Sequence, residues 1–431
     1  MNLLEFHLLH SHAVFNGNRD DLGRPKSCVF GGVKRARISS QCHKRAIRLF
    51  LRDHPKWHEH FCGIRTRRLV DEIAPRLAKQ RGGDTTKATE ADLRLAQGAA
   101  HVLAKINWQK DVERVTTSMF FSPGQYDAIA KALSELEEAT RKQVVEAVGK
   151  EVAKAAKKKA PEGTPDNSGT DATAKGKGKD KEDGISKLLK QLLVVALDAT
   201  KDPALVSDAA DIALFGRMMA SHPSLTVEAA AMFSHAISTH HAEPEPDFYT
   251  AVDDRAKEGD ETGADMMGQL EFVSATYYRY IAVNLDLLFY QKDRNGLPSA
   301  NLACFAGEKD RETRQDIIRA FTEALLRAVP SGRQTTMNSH TSVAYALGVV
   351  REGQPLQLVN AFEKPVQGRK ETGLLDPSIL QLEDFRNKMF AAWEISDAKM
   401  ACFCPVPPTG YGEPKPLAES KFIDALVRHV H

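Results

Sequence analysis

The chain has 431 residues, and its 42% hydrophobic and 27% charged content is ordinary for a soluble globular protein. Its 59 Lys and Arg residues nearly balance 57 Asp and Glu residues, so any excess of positive charge must be local. No apolar run reaches membrane-spanning length, and the start MNLLEFHLLHSH lacks the pattern of a signal peptide. We therefore expect a cytoplasmic protein without a membrane partner.

Residues 3–12, LLEFHLLHSH, are dense in apolar groups and predict a strand buried against a sheet face. Residues 15–25, FNGNRDDLGRP, are rich in turn-forming residues and predict a loop. Ser39 or Ser40 is a suitable N-cap for a helix that runs to about Asp53.

Residues 65–160 carry apolar side chains at three-to-four spacing, which predicts a helical lobe. Residues 161–183 contain almost no apolar side chain, so they cannot bury enough surface to order themselves. We interpret them as a flexible insertion.

Residues 235–267 contain an acidic, Pro-rich sequence that predicts an exposed excursion from the fold. Residues 269–291 then alternate between apolar and polar and give the clearest strand signal in the chain. Residues 313–329 predict an amphipathic helix, and residues 341–362 predict two more extended runs. This order of elements is typical of an α+β fold with helices over a sheet.

The basic segment FGGVKRARISSQCHKRAIR, residues 30–48, contains no carboxylate. Lys and Arg side chains neutralise phosphates, while Ser, Gln and backbone amides at a helix start position a sugar-phosphate chain. Gly31 and Gly32 would let the backbone approach such a ligand closely. The alternative is a solvated basic face whose charges pair with acidic loops.

Other kinds of site find little support in the sequence. The six cysteines form no C-x-x-C pair, and His7, His10 and His12 have no carboxylate at ligand spacing, so we predict no metal site. No G-x-S-x-G, Walker or G-x-G-x-x-G pattern follows a strand. We therefore predict no catalytic residue and no cofactor.

Several motifs together resemble the CasC (Cse-type) crRNA-binding backbone subunit of the type I-E CRISPR Cascade complex, in the seventh Cas protein family. The signature is NRDD at 18–21 followed by FGG, KRARISSQ and HKRA between residues 30 and 46. The match continues through DIALFGRMMAS (211–221), SHAISTHHAEPEPDFYTAVDD (234–254), LEFVSATYYRYIAVNLDLL (270–288) and VNAFEKPV (359–366).

The resemblance implies an α+β fold with a modified RNA-recognition-motif (ferredoxin-like) palm, a helical fingers insertion and a protruding thumb. The palm would comprise residues 1–60 and 270–431, the fingers 61–210 including the linker 161–183, and the thumb region 211–269. The palm would carry the guide, and the thumb would reach over it.

The function implied is that of a non-catalytic backbone. Several copies, typically six in the family, would stack head to tail along one CRISPR RNA, and each thumb would flip out a nucleotide at a regular interval. The guide would then be displayed for pairing with a target DNA strand in antiviral defence. The implied partners are the CRISPR RNA, the target DNA strand, other copies of the chain and other Cascade subunits.

The basic segment and the motif alignment together give the candidate RNA contacts. On the palm these are Arg19, Lys26, Lys34, Arg35, Arg37, Ser40, Gln41, Lys44, Arg45 and Arg48. On the thumb they are Phe248, Tyr249 and Thr250, where an aromatic ring would wedge beside a displaced base, although one of the two rings could instead anchor the thumb. Arg217, with Met218 and Met219, is a candidate second contact.

Three other functions remain open at this stage. A type III-like backbone would cleave RNA with Asp20 or Asp21 in the loop after the first strand. A processing endoribonuclease would use His10 or His12 as a general acid or base. A generic single-strand binding scaffold would hold nucleic acid without any CRISPR role.

Overall fold

The computed structural model describes residues 1–82, 87–108, 111–158, 192, 194–195, 197–199, 205, 207–219, 222–251, 266–297, 299–368 and 373–431. These residues form two compact units, which are Met1–His58 with Ala230–His431, here called the sheet unit, and Glu59–Ala229, here called the helical unit. The predicted insertion 161–183 lies outside the described residues. The boundaries of palm, fingers and thumb stay predictions.

The strands are β1 (Asn2–Phe15), β2 (Ser27–Phe30), β3 (Val33–Ile38), β4 (Ile64–Thr66), β5 (Met119–Phe121), β6 (Ala231–Phe233), β7 (Ala236–Ser238), β8 (Glu245–Ala251), β9 (Met266–Asn284), β10 (Tyr345–Glu352) and β11 (Lys399–Phe403). The helices are α1 (Ser40–Arg52), α2 (Leu69–Gln80), α3 (Glu90–Ala104), α4 (Pro123–Ser134), α5 (Glu138–Lys158), α6 (Ala210–Phe215), α7 (Arg311–Arg327), α8 (Leu375–Ala392) and α9 (Glu419–Val427). A single helical turn, Gln334–Met337, follows α7.

The sheet unit is built on an antiparallel sheet with the spatial order β11-β10-β1-β9-β7-β3-β2, in which β6 and β8 also pair with β9. Strand β1 is central and buried on both faces, which explains its nearly unbroken apolar sequence. On one face Phe6 meets Phe321 of α7 edge to face, with ring centroids 6.5 Å apart. On the other, Leu9 shares a core with Ile379 and Leu382 of α8. The predicted mixed α and β architecture is therefore confirmed.

The helical unit buries the apolar stripes of α2 to α5 against one another, as the spacing predicts. The long stretch after residue 125 divides into α4 and α5 rather than forming one helix. Thr89 and Ser122 cap α3 and α4 with reciprocal side-chain bonds to Asp92 and Gln125. Within the described ranges, no helix is both long and apolar enough to cross a membrane.

One predicted element is wrong. Residues 341–362 supply one strand, β10, but their second extended run is a turn of 3-10 helix at Val359–Phe362. Leu358, Ala361 and Phe362 are buried against the sheet from this turn. Apolar spacing alone does not separate a short strand from a short helical turn.

Candidate nucleic-acid interface

Helix α1 begins at a capped end that holds several of the predicted contacts. Ser39 has an extended backbone, and its Oγ accepts a hydrogen bond from the amide of Cys42 at 3.3 Å. The Ser39 amide donates to Oδ1 of Asn18 at 2.7 Å, which ties the helix start to the preceding loop. Beyond the cap lie the half-buried side chains of Ser40, Lys44 and Arg48 and the exposed side chains of Gln41 and Arg45.

Lys44 is positioned by an aromatic ring. Its Nζ lies 5.2 Å from the ring centroid of Phe233 on β6, and partial burial lowers the pKa of its ammonium. The contact restricts where the charge can be presented, so Lys44 is more ordered than a free surface lysine would be.

The loop before β2 is closed by its own acidic residue. Oδ1 of Asp20 accepts hydrogen bonds from the amides of Leu22 and Arg24, each at 2.9 Å. The amide of Asp20 also donates to the carbonyl of Arg24 at 2.9 Å. The loop presents Arg19 to solvent.

The two glycines of the basic segment make a tight turn. Gly31 and Gly32 have φ values of +61° and +77° and make the turn between β2 and β3. A Cβ on Gly31 would overlap the carbonyl of Glu363, whereas one on Gly32 would meet nothing within 4 Å. The predicted close approach of Gly31 is therefore to another part of the chain.

Arg35 must be withdrawn from the candidate contacts. Its side chain is fully buried, and its guanidinium donates to the carbonyls of Phe30, Ser238, Phe362 and Glu363 at 2.8–3.2 Å. Burial lowers the pKa of Arg35. Its charge is used to attach the β2–β3 hairpin to the sheet unit, and no face of it is open to RNA.

Arg217 must be withdrawn for the same reason. It is 5% exposed and donates to the carbonyls of Leu225 and Phe120 and to Oε1 of Gln125. Met219 is also buried, while Met218 is 88% exposed. All of these residues belong to the helical unit, where Arg217 holds the segment after α6 in place.

Three of the other basic side chains lie around the start of α1. Lys26 and Arg45 both lie close enough to Cys42 to oppose the rise in thiol pKa that burial causes. Arg37 on β3 donates through Nε to the carbonyl of Ser27 at 3.2 Å, and Lys34 is exposed on the same strand. Lys26, Arg37 and Arg45, together with α1, make one basic surface of the sheet unit, here called the α1 surface.

The structure adds one residue that the sequence analysis missed. His235, between β6 and β7, is exposed, and its Nδ1 lies 3.1 Å from Nη1 of Arg37. Burial, Arg37 and Lys26 together lower the pKa of its imidazole. This placement could not be predicted from local sequence, because it depends on pairing between β3 and β7.

The predicted thumb contacts lie on a hairpin formed by β8 and the first part of β9. Tyr249 pairs with Gly268, and a Cβ on Gly268 would overlap the phenol ring, so the ring packs on the hairpin itself. Phe248, its neighbour on the strand, is 72% exposed, and Thr250 is exposed as well. Nε of Arg24 lies 3.2 Å from Oε1 of Glu271 at the base of this hairpin.

The histidines of β1 are core residues. His10 and His12 are 1% and 2% exposed, with ring centroids 4.0 Å apart. Nε2 of His10 lies 2.9 Å from the carbonyl of Thr341, and Nδ1 of His12 lies 3.0 Å from that of Ser339. Burial lowers the pKa of both. Neither can reach a substrate in this structure.

Comparison with known proteins adds the family. The family model of CT1975-like proteins matches residues 4–428. The chain belongs to this family of Cas proteins. Among curated proteins the sequence has no match.

Two solved structures are similar to this CT1975-like chain along its whole length. A chain of a "CRISPR RNA-guided surveillance complex, pre-nicking" is 27% identical with a TM-score of 0.67, and the match covers 100% of both chains. A chain of a second "CRISPR RNA-guided surveillance complex" is 23% identical with a TM-score of 0.58, covering 99% of both. The second likeness concerns the fold alone.

Proposed function

We propose that this CT1975-like protein is the CasC-type backbone subunit of a type I-E CRISPR Cascade complex and binds CRISPR RNA through its sugar-phosphate backbone. The observation that carries the proposal is the α1 surface, where a capped helix start presents Gln41 and Arg45 beside Lys26 and Arg37. Basic and polar side chains of this kind bind phosphates of any sequence. The whole-chain similarity to a subunit of an RNA-guided complex supports the same conclusion.

In this proposal the sheet unit is the palm, modified from an RNA-recognition motif, and the helical unit supplies the fingers. The β8–β9 hairpin is the thumb. Its two aromatic rings have different roles. Tyr249 stabilises the hairpin by covering Gly268, and the exposed Phe248 wedges beside a displaced base. Stacking suits this role, since every base has a π-face.

The proposed partners are the CRISPR RNA, the target DNA strand paired to it, further copies of this chain and other Cascade subunits. The copies would stack head to tail along the guide. A net charge of +2 is compatible with such stacking because patches of opposite sign can meet across a heterologous interface.

The proposal includes no catalytic step. Asp20, one of the two carboxylates that a type III-like nuclease could use, accepts hydrogen bonds from two backbone amides of its own loop at Oδ1; the other, Asp21, is exposed. The histidines that a processing nuclease would need, His10 and His12, are buried. These contacts favour a protein that holds RNA over one that cuts it.

The test is recovery of CRISPR RNA with the protein from cells that carry the neighbouring cas genes and repeat array. Arg19→Glu/Arg45→Glu reverses two exposed charges of the sheet unit, and we expect it to lose the protected RNA. Lys131→Glu/Lys150→Glu reverses two exposed charges of the helical unit and is the matched control. If the Arg19→Glu/Arg45→Glu protein recovers as much RNA as the control variant, Arg19 and Arg45 are not part of the RNA site, and no RNA with the unaltered protein would refute the proposed function.

The wedge is tested by nuclease protection of the bound RNA. Phe248→Ala should abolish the regular interval of cleavage while leaving thermal stability unchanged, whereas Phe248→Trp should retain it. If Tyr249→Ala, and not Phe248→Ala, abolishes the interval without unfolding the hairpin, the two roles are assigned the wrong way round.

A further inference from the structure

The exposed His235 owes its position to an irregularity in the sheet. Phe233 of β6 pairs with Ile281 of β9, and Ile237 of β7 pairs with Tyr278 of β9. The three residues 234–236 therefore lie opposite the two residues 279–280. The extra residue makes a β-bulge, with the amide of Ser234 donating to the carbonyl of Tyr280 at 3.0 Å. Bulges of this kind turn a side chain away from its regular direction. Here the side chain turned out is His235.

The neighbour of His235 determines which ring nitrogen carries the proton. Nδ1 lies 3.1 Å from Nη1 of Arg37, and a guanidinium can donate hydrogen bonds but cannot accept them. Nδ1 must therefore be the unprotonated, accepting nitrogen, and the proton of the neutral ring is on Nε2. Arg37 is itself oriented by its second bond, from Nε to the carbonyl of Ser27. The imidazole is thus fixed as a neutral donor.

The surroundings of His235 are positively charged. Arg37 on β3 and Lys26 in the loop before β2 are the charged groups that act on its imidazole, and both are cations. They favour an anionic ligand at this place and oppose a second proton on the ring. Burial is the largest cause of the lowered pKa of His235, and the two cations lower it further.

We propose that His235 is a further RNA contact of the α1 surface, at which its Nε2–H donates a hydrogen bond to a phosphate oxygen that Arg37 and Lys26 attract. The inference rests on the proposed function, because it takes the guide RNA as the ligand. The neutral Nε2–H fixes the direction and length of the hydrogen bond, while the two cations supply most of the electrostatic attraction to the phosphate. Arg37 acts here partly as a positioning residue, since it holds the tautomer that donates outward.

The tautomer is tested first, without RNA. In the full-length chain labelled with ¹⁵N-histidine, His235 is assigned by the signal missing in His235→Gln. At neutral pH we expect a protonated Nε2 and an unprotonated Nδ1, and a weaker preference for this tautomer in Arg37→Ala. A protonated Nδ1 in the unaltered protein would overturn the inference.

The contact is tested by affinity for a labelled oligouridylate RNA. His235→Ala should weaken binding about tenfold, the effect of losing one hydrogen bond to a charged group. His235→Gln, whose amide N–H can replace Nε2–H, should bind within about twofold of the unaltered protein. His241→Ala removes another exposed histidine of the sheet unit and should have no effect. Equal weakening by His235→Gln and His235→Ala would overturn the inference.

The same measurement on oligodeoxythymidylate identifies the ligand atom. A phosphate contact predicts the same fold-change for His235→Ala on both strands, and a loss confined to RNA would overturn the phosphate assignment in favour of a ribose hydroxyl. Failure of the inference is distinguishable from failure of the proposed function. If Arg19→Glu/Arg45→Glu abolishes binding and His235→Ala does not change it, only the inference is wrong.

Discussion

Buried histidines make the sheet unit sensitive to acid, and His43 on α1 offers the sharpest test. Burial lowers the pKa of His7 to about 3 and of His12 to about 4, and it lowers those of His10 and His43 well below the usual value of 6.5. Among the described residues, neither ring nitrogen of His43 has a hydrogen-bond partner. Arg279, also buried, adds repulsion against a proton on His10, His12 or His43.

The direction follows from proton linkage. Between pH 6.5 and about 4 the unfolded chain binds protons at these positions while the folded chain does not, so the free energy of unfolding falls as the pH falls. The contribution of these buried histidines to stability is fully present above pH 6.5. Each histidine whose pKa in the folded chain is 4 or lower reduces the free energy of unfolding by about 2 kcal/mol when the pH falls from 7.5 to 5.

The perturbation is His43→Leu, which removes one such group and two buried nitrogens without a partner. We expect it to raise stability at pH 7.5, because unpaired buried polar atoms cost about 1–3 kcal/mol. We also expect the loss between pH 7.5 and pH 5 to shrink, because burial lowers the pKa of His43 in the folded chain; the unfolded-state pKa of 6.5 limits this change to at most about 2 kcal/mol. His58→Leu, at an exposed histidine of the same unit, is the control.

The assay is urea unfolding followed by the fluorescence of Trp57, which is 3% exposed in the sheet unit, with Trp108 and Trp393 changed to Phe. Following this one ring separates the sheet unit from the helical unit. If His43→Leu and His58→Leu lose the same stability on acidification, the buried imidazole of His43 is not being kept neutral and the reasoning fails.

Three further predictions follow from local contacts. Gly31→Ala should lower the melting temperature far more than Gly32→Ala, because both place Ala at positive φ, at about 1–2 kcal/mol, but only the first meets the carbonyl of Glu363; equal shifts would argue against that contact. Arg35→Ala should destabilise the protein by more than about 3 kcal/mol in urea unfolding, since it leaves several buried carbonyls unpaired, while Lys34→Ala should change stability by less than about 0.5 kcal/mol. Asp20→Asn should keep RNA binding in a copurification assay, since its amide oxygen still accepts the two backbone bonds, and Asp20→Ala should weaken it; RNA cleavage lost in Asp20→Asn would revive the nuclease alternative.

The elements that the sequence predicts well are those whose signal is local. Ser39 caps α1 through its own side chain, and the apolar run of β1 marks a strand covered on both faces. The alternation in residues 269–291 likewise becomes β9 over most of its length. In each case neighbouring residues contain the information that fixes the element.

The candidate site is less predictable, because partners distant in sequence decide which basic residues are exposed. Lys34, Arg35 and Arg37 look alike in the sequence, yet Arg35 is buried because a turn more than 300 residues away supplies carbonyls for it. The position of Arg35 in the sequence of β3 does not predict this burial. His235 was missed for the converse reason, since only the register between β7 and β9 shows the bulge that exposes it.

The end of the sheet at β2 has a consequence for solubility. An outermost strand exposes unpaired backbone groups that can recruit a strand from another molecule, and this risk rises when many copies of one chain are made together. Strand β2 is only four residues long, and it turns back at once into β3 with its exposed Lys34. The short length of β2 and the nearby positive charge disfavour the addition of a strand from another molecule. The exposed positive charge beside β2 would thus also keep separate copies of the chain from joining edge to edge into aggregates.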